Sequence, residues 1–404
     1  MKGVLFDPYD REQQIEPFAL YRHLRDHEPL QRNDERGFWV LSRYEDVLAA
    51  FLDPATYSSA RGSFPDDDPD RLGHTLGTSD PPRHDRLRKL ASAAFSPRRV
   101  AEMEPVIRKH ASALLEPVME GDSLEVPTGF AVPLTSGVIA SILGVPESDV
   151  PMLQGWSHQS FRIDSTGADG TPEQQAALQS LLGYLADAAA LRRRNPEAYD
   201  DLMADFIRAE VDGDKLDDDE VSWLTQSIFI AGHETTTSSI SNGVASLAAN
   251  PDERRKLRED PGLIPDAFEE MLRLDSPAQG FHRSLTRPVE LHGKRMEAGE
   301  SVIILPGSAN RDERVFPDPD RLDVERRPRQ HLAFGQGIHY CLGAPLSRLE
   351  NRIVFEMLID AFPDWTIDEA RSERAFAGRF MLRGYARLRM EFGRQRIGFA
   401  AASA

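Results

Sequence analysis

The chain has 404 residues, 40% hydrophobic and 28% charged, an ordinary composition for a globular protein with a sizeable core. Its formal net charge of −18 argues against binding to nucleic acid or to an anionic membrane surface. The single cysteine excludes an intramolecular disulfide and a multi-cysteine zinc site, and the first residues, MKGVLFDPYDREQQ, lack the apolar run of a signal peptide or membrane anchor. We therefore expect a cytoplasmic protein.

The first half of the chain contains a basic segment and an apolar segment. The basic segment, DPPRHDRLR at 80–88, carries cations for which surface exposure is the default interpretation. The apolar segment, FAVPLTSGVIASILGV at 130–145, contains Pro133 and is shorter than the ~20 residues that a membrane-spanning helix needs. It predicts a buried helix.

The longest predicted helix covers about residues 218–250. It begins at a capping box, Asp217 with an acidic residue three positions later, and its apolar periodicity ends before Pro251. Ala231 and Thr235 share one face, and the Thr235 hydroxyl can donate to the Ala231 carbonyl, which would loosen the helix locally. The small Ala231-Gly232 pair would let a flat ligand approach the backbone, although the same string also fits tight helix packing. His233 lies on a different face and is expected in the core or in solvent.

Proline residues then delimit two shorter helices, 252–259 and 266–275. Glu270 and Arg273 lie three residues apart on the second one, so they form a charge pair on one face; an exposed pair of this kind would be worth at most ~1 kcal/mol. Short alternating segments predict small strands at Phe38–Leu41, Val289–Leu291, Ser301–Leu305 and Arg387–Phe392. Helix therefore dominates the chain, and the predicted fold class is mainly α with a small β region.

Cys341 lies in the string FGQGIHYCLGAPLSRLE, between a glycine-rich segment and an amphipathic run with helical period. A lone cysteine is most often a small buried hydrophobic residue. Here the spacing predicts a loop that brings Cys341 to the start of a helix, where backbone N–H groups favour the thiolate. Such a thiolate is suited to be an axial ligand of haem iron.

The pattern Phe334-Gly335-x-Gly337-x-x-x-Cys341-x-Gly343 resembles the haem-ligand signature of the cytochrome P-450 family, with every fixed position filled. Together with the segments above, the resemblance extends over roughly residues 7 to 392. It implies the family's fold, a triangular helical prism with a small β-rich part near the N-terminus, as a single domain over 1–404. It also implies haem b as cofactor, the long helix at about 218–250 and the haem-ligand loop at 334–343.

The resemblance also assigns roles to individual residues. Glu234 and Thr235 match the acid–alcohol pair of oxygen activation, and Glu270, Arg273 and Arg326 match a structural trio. The residues expected at the haem are Cys341 as iron ligand, with His84, Arg88, Ala231, Gly232, Arg283, Phe334, Gly335, His339 and Gly343; His84, Arg88, Arg283 and His339 are the propionate contacts. The residues expected to line an apolar substrate pocket are Ile228, Ala231, Ala278, Phe281 and Phe376.

Polar side chains at 157–162 could contact a carboxylate or hydroxyl on the substrate, although facing solvent is the default interpretation for them; they are Ser157, His158, Gln159 and Arg162. Since the sequence shows no flavin-binding domain, the resemblance implies electrons from a ferredoxin and an NAD(P)H-dependent ferredoxin reductase. Cations expected to flank the thiolate side and attract an acidic ferredoxin are Arg86, Lys89, Arg98, Arg99, Arg348 and Arg352.

The activity that follows is insertion of one oxygen atom from O2 into a small or medium apolar organic substrate. The alternative is a haem-thiolate enzyme of secondary metabolism that performs oxidative coupling or uses peroxide, but such relatives usually differ at the acid–alcohol pair, which is intact here. A non-catalytic haem sensor would carry an appended output domain, and the sequence shows no such domain. A cysteine hydrolase would pair Cys341 with His339, two residues away, which is a poor spacing for a dyad and leaves the glycine pattern unexplained.

Overall fold

The computed structural model describes residues 3–65, 67, 69–161, 171–375 and 381–393. Helices predominate among them. They are α1 Arg11–Ile15, α2 Phe18–His27, α3 Tyr44–Leu52, α4 Arg83–Ala94, α5 Pro97–Ala101, α6 Glu104–Leu115, α7 Val132–Leu143, α8 Val150–Phe161, α9 Pro172–Arg194, α10 Leu202–Arg208, α11 Asp218–Ala249, α12 Pro251–Glu259, α13 Ile264–Leu274, α14 Pro306–Ala309 and α15 Ala344–Ala361.

The strands are short. They are β1 Leu30–Asn33, β2 Phe38–Leu41, β3 Tyr57–Ser58, β4 Ser123–Glu125, β5 Glu210–Val211, β6 Asp214–Lys215, β7 Phe281–Leu285, β8 Val289–Leu291, β9 Lys294–Met296, β10 Ser301–Ile304, β11 Trp365–Ile367, β12 Glu373–Arg374, β13 Tyr385–Arg387 and β14 Arg389–Phe392. The largest sheet has the order β1-β2-β10-β7-β3, in which only β2 and β10 run parallel, and a second sheet has the order β11-β14-β4. The predicted fold class, mainly α with a small β region, is confirmed.

Helix α11 begins and ends where the sequence predicts. Asp217 accepts from the Glu220 backbone N–H at 2.8 Å, and the Glu220 carboxylate accepts from the Asp217 N–H at 3.1 Å, which completes the capping box. The helix ends at Asn250 because Pro251 starts α12. Contrary to the expected loosening near Thr235, α11 is α-helical along all of its 32 residues.

The apolar segment at 130–145 forms a buried helix, as predicted. After a π-helical turn at Pro127–Ala131, α7 packs against α11 and buries most of its side chains. A Cβ atom on Gly232 would collide with the Ile139 side chain, so the glycine permits close approach of the two helices. In the parts of the chain that the structure describes, no helix is long and apolar enough to cross a membrane.

Two cores support the elements that carry the predicted site residues. The larger one lies among the helices and includes Phe229 and Ile240 of α11 together with Leu346 and Phe355 of α15. The smaller one lies under the five-stranded sheet and includes Phe51 of α3. Helices α11 and α15 are also joined by a buried hydrogen bond of 3.0 Å from Ser239 to Asn351, and α15 is the helix that follows Cys341.

One carboxyl group in the larger core makes stability depend on pH. Glu350 on α15 is buried, its Oε1 has no hydrogen-bond partner, and burial raises the pKa of Glu350 to about 8. An unfolded glutamate ionises near pH ~4.3. Because the folded protein keeps this proton to a higher pH than the unfolded chain does, the contribution of Glu350 to stability falls as pH rises from about 4.3 to about 8.

We expect Glu350→Gln to remove this dependence, since an amide has no proton to lose in that range. The free energy of unfolding of the variant, relative to that of the unmodified protein, should rise by roughly 2–4 kcal/mol between pH 5 and pH 8. Urea unfolding followed by circular dichroism measures it. Glu356→Gln on the same helix is the control, because Glu356 is half-exposed and paired with Arg108 and Arg352. The prediction would be contradicted if the free energy of unfolding of Glu350→Gln, relative to that of the unmodified protein, were the same at pH 5 and pH 8.

Candidate haem site

The loop before α15 carries Cys341 to the helix N-terminus, as predicted. The Cys341 N–H donates to the Phe334 carbonyl at 2.9 Å, which closes the loop, and α15 starts at Ala344 with Gly343 as its N-cap. Gly335 and Gly337 have φ values of 69° and 68°, the left-handed region that favours glycine. A Cβ on Gly337 would also lie 2.6 Å from the Phe51 carbonyl oxygen, so α3 presses closely on the loop.

Two opposing effects act on the pKa of the Cys341 thiol. The side chain is exposed, yet protein surrounds it closely enough for burial to raise the pKa of the Cys341 thiol. The backbone N–H groups of Gly343 and Ala344 and the charges of Arg88 and Arg348 oppose that effect without overcoming it. The helix start therefore favours the thiolate without outweighing burial in the protein alone. An iron ion held by Cys341 would displace the proton, and the same N–H groups would then stabilise the sulfur charge.

Four basic side chains converge beside this loop. His84 and Arg88 lie one turn apart on α4, Arg283 lies on β7, and His339 ends a short 3-10 turn inside the loop. The rings of His84 and His339 are 4.6 Å apart, and Ser59 holds the His339 ring at 3.1 Å. Burial, with the charges of Arg283, His84 and Arg88, lowers the pKa of His339 to about 3. The structure thus brings together the four residues expected to contact propionates.

Carboxylates lie near parts of this cluster: Asp85 Oδ1 lies 3.0 Å from His84 Nδ1, and the charge of Asp80 acts on Arg283. Burial lowers the pKa of Arg283 to about 10, and the charge of Asp80 opposes this shift. The Nη1 atom of Arg283 donates a hydrogen bond of 2.6 Å to the His282 carbonyl. Arg88 is half-buried and forms no ion pair within the described residues. Among the residues that the structure describes, the buried Nε2 atom of His84 has no hydrogen-bond partner. An anion would stabilise buried donors of this kind, so the cluster fits the two propionates of haem.

The predicted structural trio is assembled in the core. Arg273 donates to both Glu270 oxygens at 2.7 and 2.9 Å, both side chains are fully buried, and Arg326 donates to Glu270 at 2.9 Å. The pair is therefore not the exposed ion pair that the sequence alone would favour. Arg273 also donates to the Asn310 carbonyl, and the Asn310 side chain accepts from the Leu332 N–H at 2.6 Å. This chain of bonds connects α13 to the beginning of the cysteine loop.

A second brace behind the loop was not predicted. Glu269 on α13 accepts two hydrogen bonds from Arg348, at 2.7 and 3.0 Å, and one bond of 2.8 Å joins it to His331. Arg348 also donates to the Tyr340 hydroxyl at 3.0 Å and lies 4.6 Å from the centre of the Phe334 ring. Glu269 directly precedes Glu270, but only the tertiary structure shows that its partners lie 62 and 79 residues away.

On α11, Ala231 and Thr235 share an accessible face. Ala231 is exposed and Thr235 half-buried on a helix whose other faces are largely buried. The Thr235 hydroxyl donates to the Ala231 carbonyl at 2.7 Å, which is the predicted hydrogen bond. Gly232 turns toward Ile139 of α7, so its small size permits close helix packing, and its contact with a flat ligand stays a prediction.

Glu234, the acidic member of the predicted pair, has a partner that sequence reasoning missed. Its Oε1 lies 3.2 Å from His233 Nε2, and Ser157 Oγ on α8 lies 3.4 Å from the same nitrogen. His233 is buried, as the core interpretation predicted, and its Nδ1 lies 2.6 Å from the Phe229 carbonyl oxygen. Neighbours on a helix do not face one another, so adjacency in sequence gave no signal for this pair.

The predicted pocket residues are only partly brought together. Ile228 lies half-buried on α11, one turn before Ala231, and Ala278 pairs with Leu382 in an isolated bridge. Phe281 packs against Phe51, with ring centres 6.1 Å apart, which makes it part of the smaller core. Phe376 and Arg162 lie outside the described residues, and His158 and Gln159 are exposed.

The predicted cationic patch is largely neutralised within the protein. Each of its six members has a carboxylate partner: Arg86 with Asp214 and Glu220, Lys89 with Asp212, Arg98 with Glu102, Arg99 with Asp200 and Asp205, Arg348 with Glu269, and Arg352 with Glu104 and Glu356. Arg99 is also buried. These internal ion pairs reduce the positive charge that the six side chains offer to a partner, and their role in docking stays a prediction.

Known proteins resemble this chain along nearly its whole length. The family model "Cytochrome P450" matches residues 174–261 and 262–383. The vitamin D(3) 25-hydroxylase of Pseudonocardia autotrophica is 36% identical over 385 residues, which cover 93% of this chain and 94% of the relative. Cytochrome P450 130 of Mycobacterium tuberculosis is 37% identical over 369 residues, 88% and 90% of the two chains. The structure of cytochrome P450 CYP109Q5 from Chondromyces apiculatus superposes with a TM-score of 0.87 and 33% identity, covering 96% of this chain and 98% of that one.

The buried charge of Arg283 leads to a test of the site. We expect Arg283→Leu to speed the transfer of haem to apomyoglobin by about tenfold or more, because a buried, charge-assisted hydrogen bond to an anion is lost. Absorbance of the haem bands during transfer measures this rate.

Arg287→Leu, four residues along the chain, is the matched control. Arg287 is largely exposed and paired with Asp53, so its removal should leave the transfer rate unchanged. If Arg283→Leu releases haem no faster than Arg287→Leu does, the anion-binding role of the cluster is wrong.

Proposed function

The chain belongs to the cytochrome P450 family of monooxygenases, and we propose that it inserts one oxygen atom of O2 into a small or medium apolar organic molecule. The main support for the proposal is that two connected helices, α11 and α15, carry the two groups that the activity requires. A cysteine lies at the start of α15, and the Glu234-Thr235 pair lies on the accessible side of α11. The intact pair favours oxygen insertion over oxidative coupling or peroxide use.

The residues described above fit haem b, with Cys341 as the iron ligand and with His84, Arg88, Arg283 and His339 on the propionates. Haem bound there supplies the iron at which O2 is reduced and activated. Thr235 then holds a hydroxyl at the accessible face of α11, fixed by its bond to the Ala231 carbonyl. Glu234 carries a carboxylate beside it that can take up and release protons, so the pair governs proton delivery and not substrate binding.

Electrons are proposed to come from a separate ferredoxin, reduced by an NAD(P)H-dependent reductase. Support comes from membership of the family, which implies a separate redox partner. Since the six cations named above are paired internally, their contribution to docking would require exchange of partners and would be small.

The substrate is proposed to contact Ile228 and Ala231 on α11 and the segment at Ala278. These side chains are apolar and partly accessible, as expected for a pocket lining. The relative from Pseudonocardia autotrophica is named for its action on vitamin D(3), an apolar molecule, which supports the same substrate class here.

The direct test is turnover under 18O2 with ferredoxin, its reductase and NAD(P)H. We expect a product that contains one labelled oxygen atom per molecule. A coupled dimer without added oxygen, or unlabelled product formed only with peroxide, would overturn the proposal in favour of the alternative haem-thiolate activity.

Thr235→Ala tests the proton-delivery role. We expect substrate still to shift the haem spin state, while most of the reducing equivalents go to peroxide or water, lowering product per NAD(P)H by about tenfold. Product and peroxide are quantified against NAD(P)H consumed.

Thr225→Ala is the control, because Thr225 makes the same hydrogen bond of 2.7 Å to the carbonyl four residues earlier on α11, but in the core. It should remain coupled. Full coupling in Thr235→Ala would remove the role assigned to this hydroxyl.

A further inference from the structure

His233, the partner of Glu234, allows the pair to hold one transferable proton. His233 Nδ1 lies 2.6 Å from the Phe229 carbonyl oxygen, which can only accept, so Nδ1 must carry a hydrogen. The other nitrogen, Nε2, faces Glu234 Oε1 at 3.2 Å. A hydrogen bond at that distance requires one proton between the two atoms, either on the imidazole or on the carboxyl group. The pair therefore holds one transferable proton.

The charges near the pair favour placing that proton on the histidine. Burial alone would lower the pKa of His233, but the hydrogen bond and the charge of Glu234 raise it above its ordinary value. Burial would likewise raise the pKa of Glu234, but the bond and charge of His233, with the charge of His158 on α8, lower it. Helix α7, which packs against the same stretch of α11, has no titratable side chain.

Accessibility differs between the two partners. The Glu234 side chain is 35% exposed, whereas that of His233 is 4% exposed and meets Ser157, which is fully buried. Glu234 thus lies between the accessible face of α11 and a closed polar interior. Of the two partners, the carboxylate is the one that reaches the accessible face, while the histidine is held in place by three partners.

We propose that His233 is a positioning residue that stores one proton for Glu234 and resupplies it during turnover, and that Ser157 holds the His233 ring in place from α8. This inference rests on the proposed function, because it assigns a source for the protons that oxygen reduction consumes. It extends the acid–alcohol pair by two residues, one of them contributed by α8.

The step conserves protons and charge. The Nε2–H bond of the imidazolium breaks as an O–H bond forms on Glu234, which leaves a neutral imidazole and a neutral carboxylic acid. The acid releases the proton toward the Thr235 side and becomes a carboxylate again. The carboxylate then takes a proton from solvent at the accessible face and passes it to Nε2, which restores the starting pair while Ser157 keeps the imidazole in place.

The first experiment measures the pairing without turnover. In the haem protein with 13C-labelled histidine, held in the diamagnetic ferrous carbon-monoxide state, the His233 ring signal is identified by its loss in His233→Gln. We expect His233 to titrate above the ordinary histidine range and Glu234→Gln to lower its midpoint by about one pH unit or more. His110, which pairs with Ser141 on other helices, is the internal control and should not move.

The second experiment measures coupling against pH. Gln at position 233 can still donate to the Glu234 carboxylate but has no proton to transfer. We expect product per NAD(P)H in His233→Gln to fall by about tenfold at neutral pH and to recover toward acid pH, where solvent replaces the lost donor. Substrate affinity should stay the same. His110→Gln is the matched variant and should remain coupled throughout.

The outcomes separate the two claims. An unchanged His233 midpoint in Glu234→Gln, or a coupled His233→Gln in a protein whose Glu234→Gln variant is uncoupled, overturns the relay and leaves the proposed function intact. A lack of oxygen insertion in the unmodified protein overturns the proposed function. If His233→Gln does not fold, the His233 ring signal is instead assigned by its change in Ser157→Ala, since Ser157 contacts that ring. The shift of its titration midpoint in Glu234→Gln then still decides whether the two residues are paired.

Discussion

Arg283 carries a positive charge into the interior of the protein, and within the described part of the chain no carboxylate is hydrogen-bonded to it; the rest of the haem site is arranged around that constraint. A buried charge is costly and the nearby Asp80 offsets it only in part, so an anion beside Arg283 would stabilise the fold. Strand β7 holds Arg283 in place, α4 brings His84 and Arg88, and the cysteine loop brings His339 to the same point. The anion site and the thiol are therefore fixed by the same loop.

The position of that loop depends on a buried polar framework. The Glu270–Arg273 pair connects through Asn310 to Leu332, and the Glu269–Arg348 pair holds Tyr340 and Phe334 from the other side. Both frameworks start from adjacent residues of α13. Such networks stabilise one geometry only if every member is satisfied, and so they specify where Cys341 lies.

Sequence reasoning succeeded where local rules decide the outcome. The capping box at Asp217, the proline at 251 and the glycines at 335 and 337 each determine the backbone within a few residues, and the structure has α11 and the cysteine loop where these residues predict them. The contact of Arg326 with Glu270 also agrees with the prediction, because the family resemblance supplies a contact that helix propensity cannot.

In contrast, three other features depend on which distant groups surround them: the pKa of the Cys341 thiol, the pairing of the cations in the expected docking patch, and the environment of Phe281. Burial at Cys341 and the carboxylates near Arg86 and Arg99 come from other segments, and no local pattern encodes them. The contact between Ser157 and His233 could not be inferred for the same reason.

Thiolate ligation by Cys341 is the central claim, since the anion cluster, the acid–alcohol pair and its histidine partner have a catalytic meaning only beside such an iron centre. The most direct measurement is the absorption spectrum of the reduced carbon-monoxide complex of the unmodified protein and of Cys341→Ser. If Cys341 is the thiolate ligand, we expect the long-wavelength Soret band of thiolate-ligated haem in the unmodified protein and its loss in Cys341→Ser. A band at the shorter wavelength of imidazole-ligated haem in the unmodified protein, or an unchanged long-wavelength band in Cys341→Ser, would contradict it.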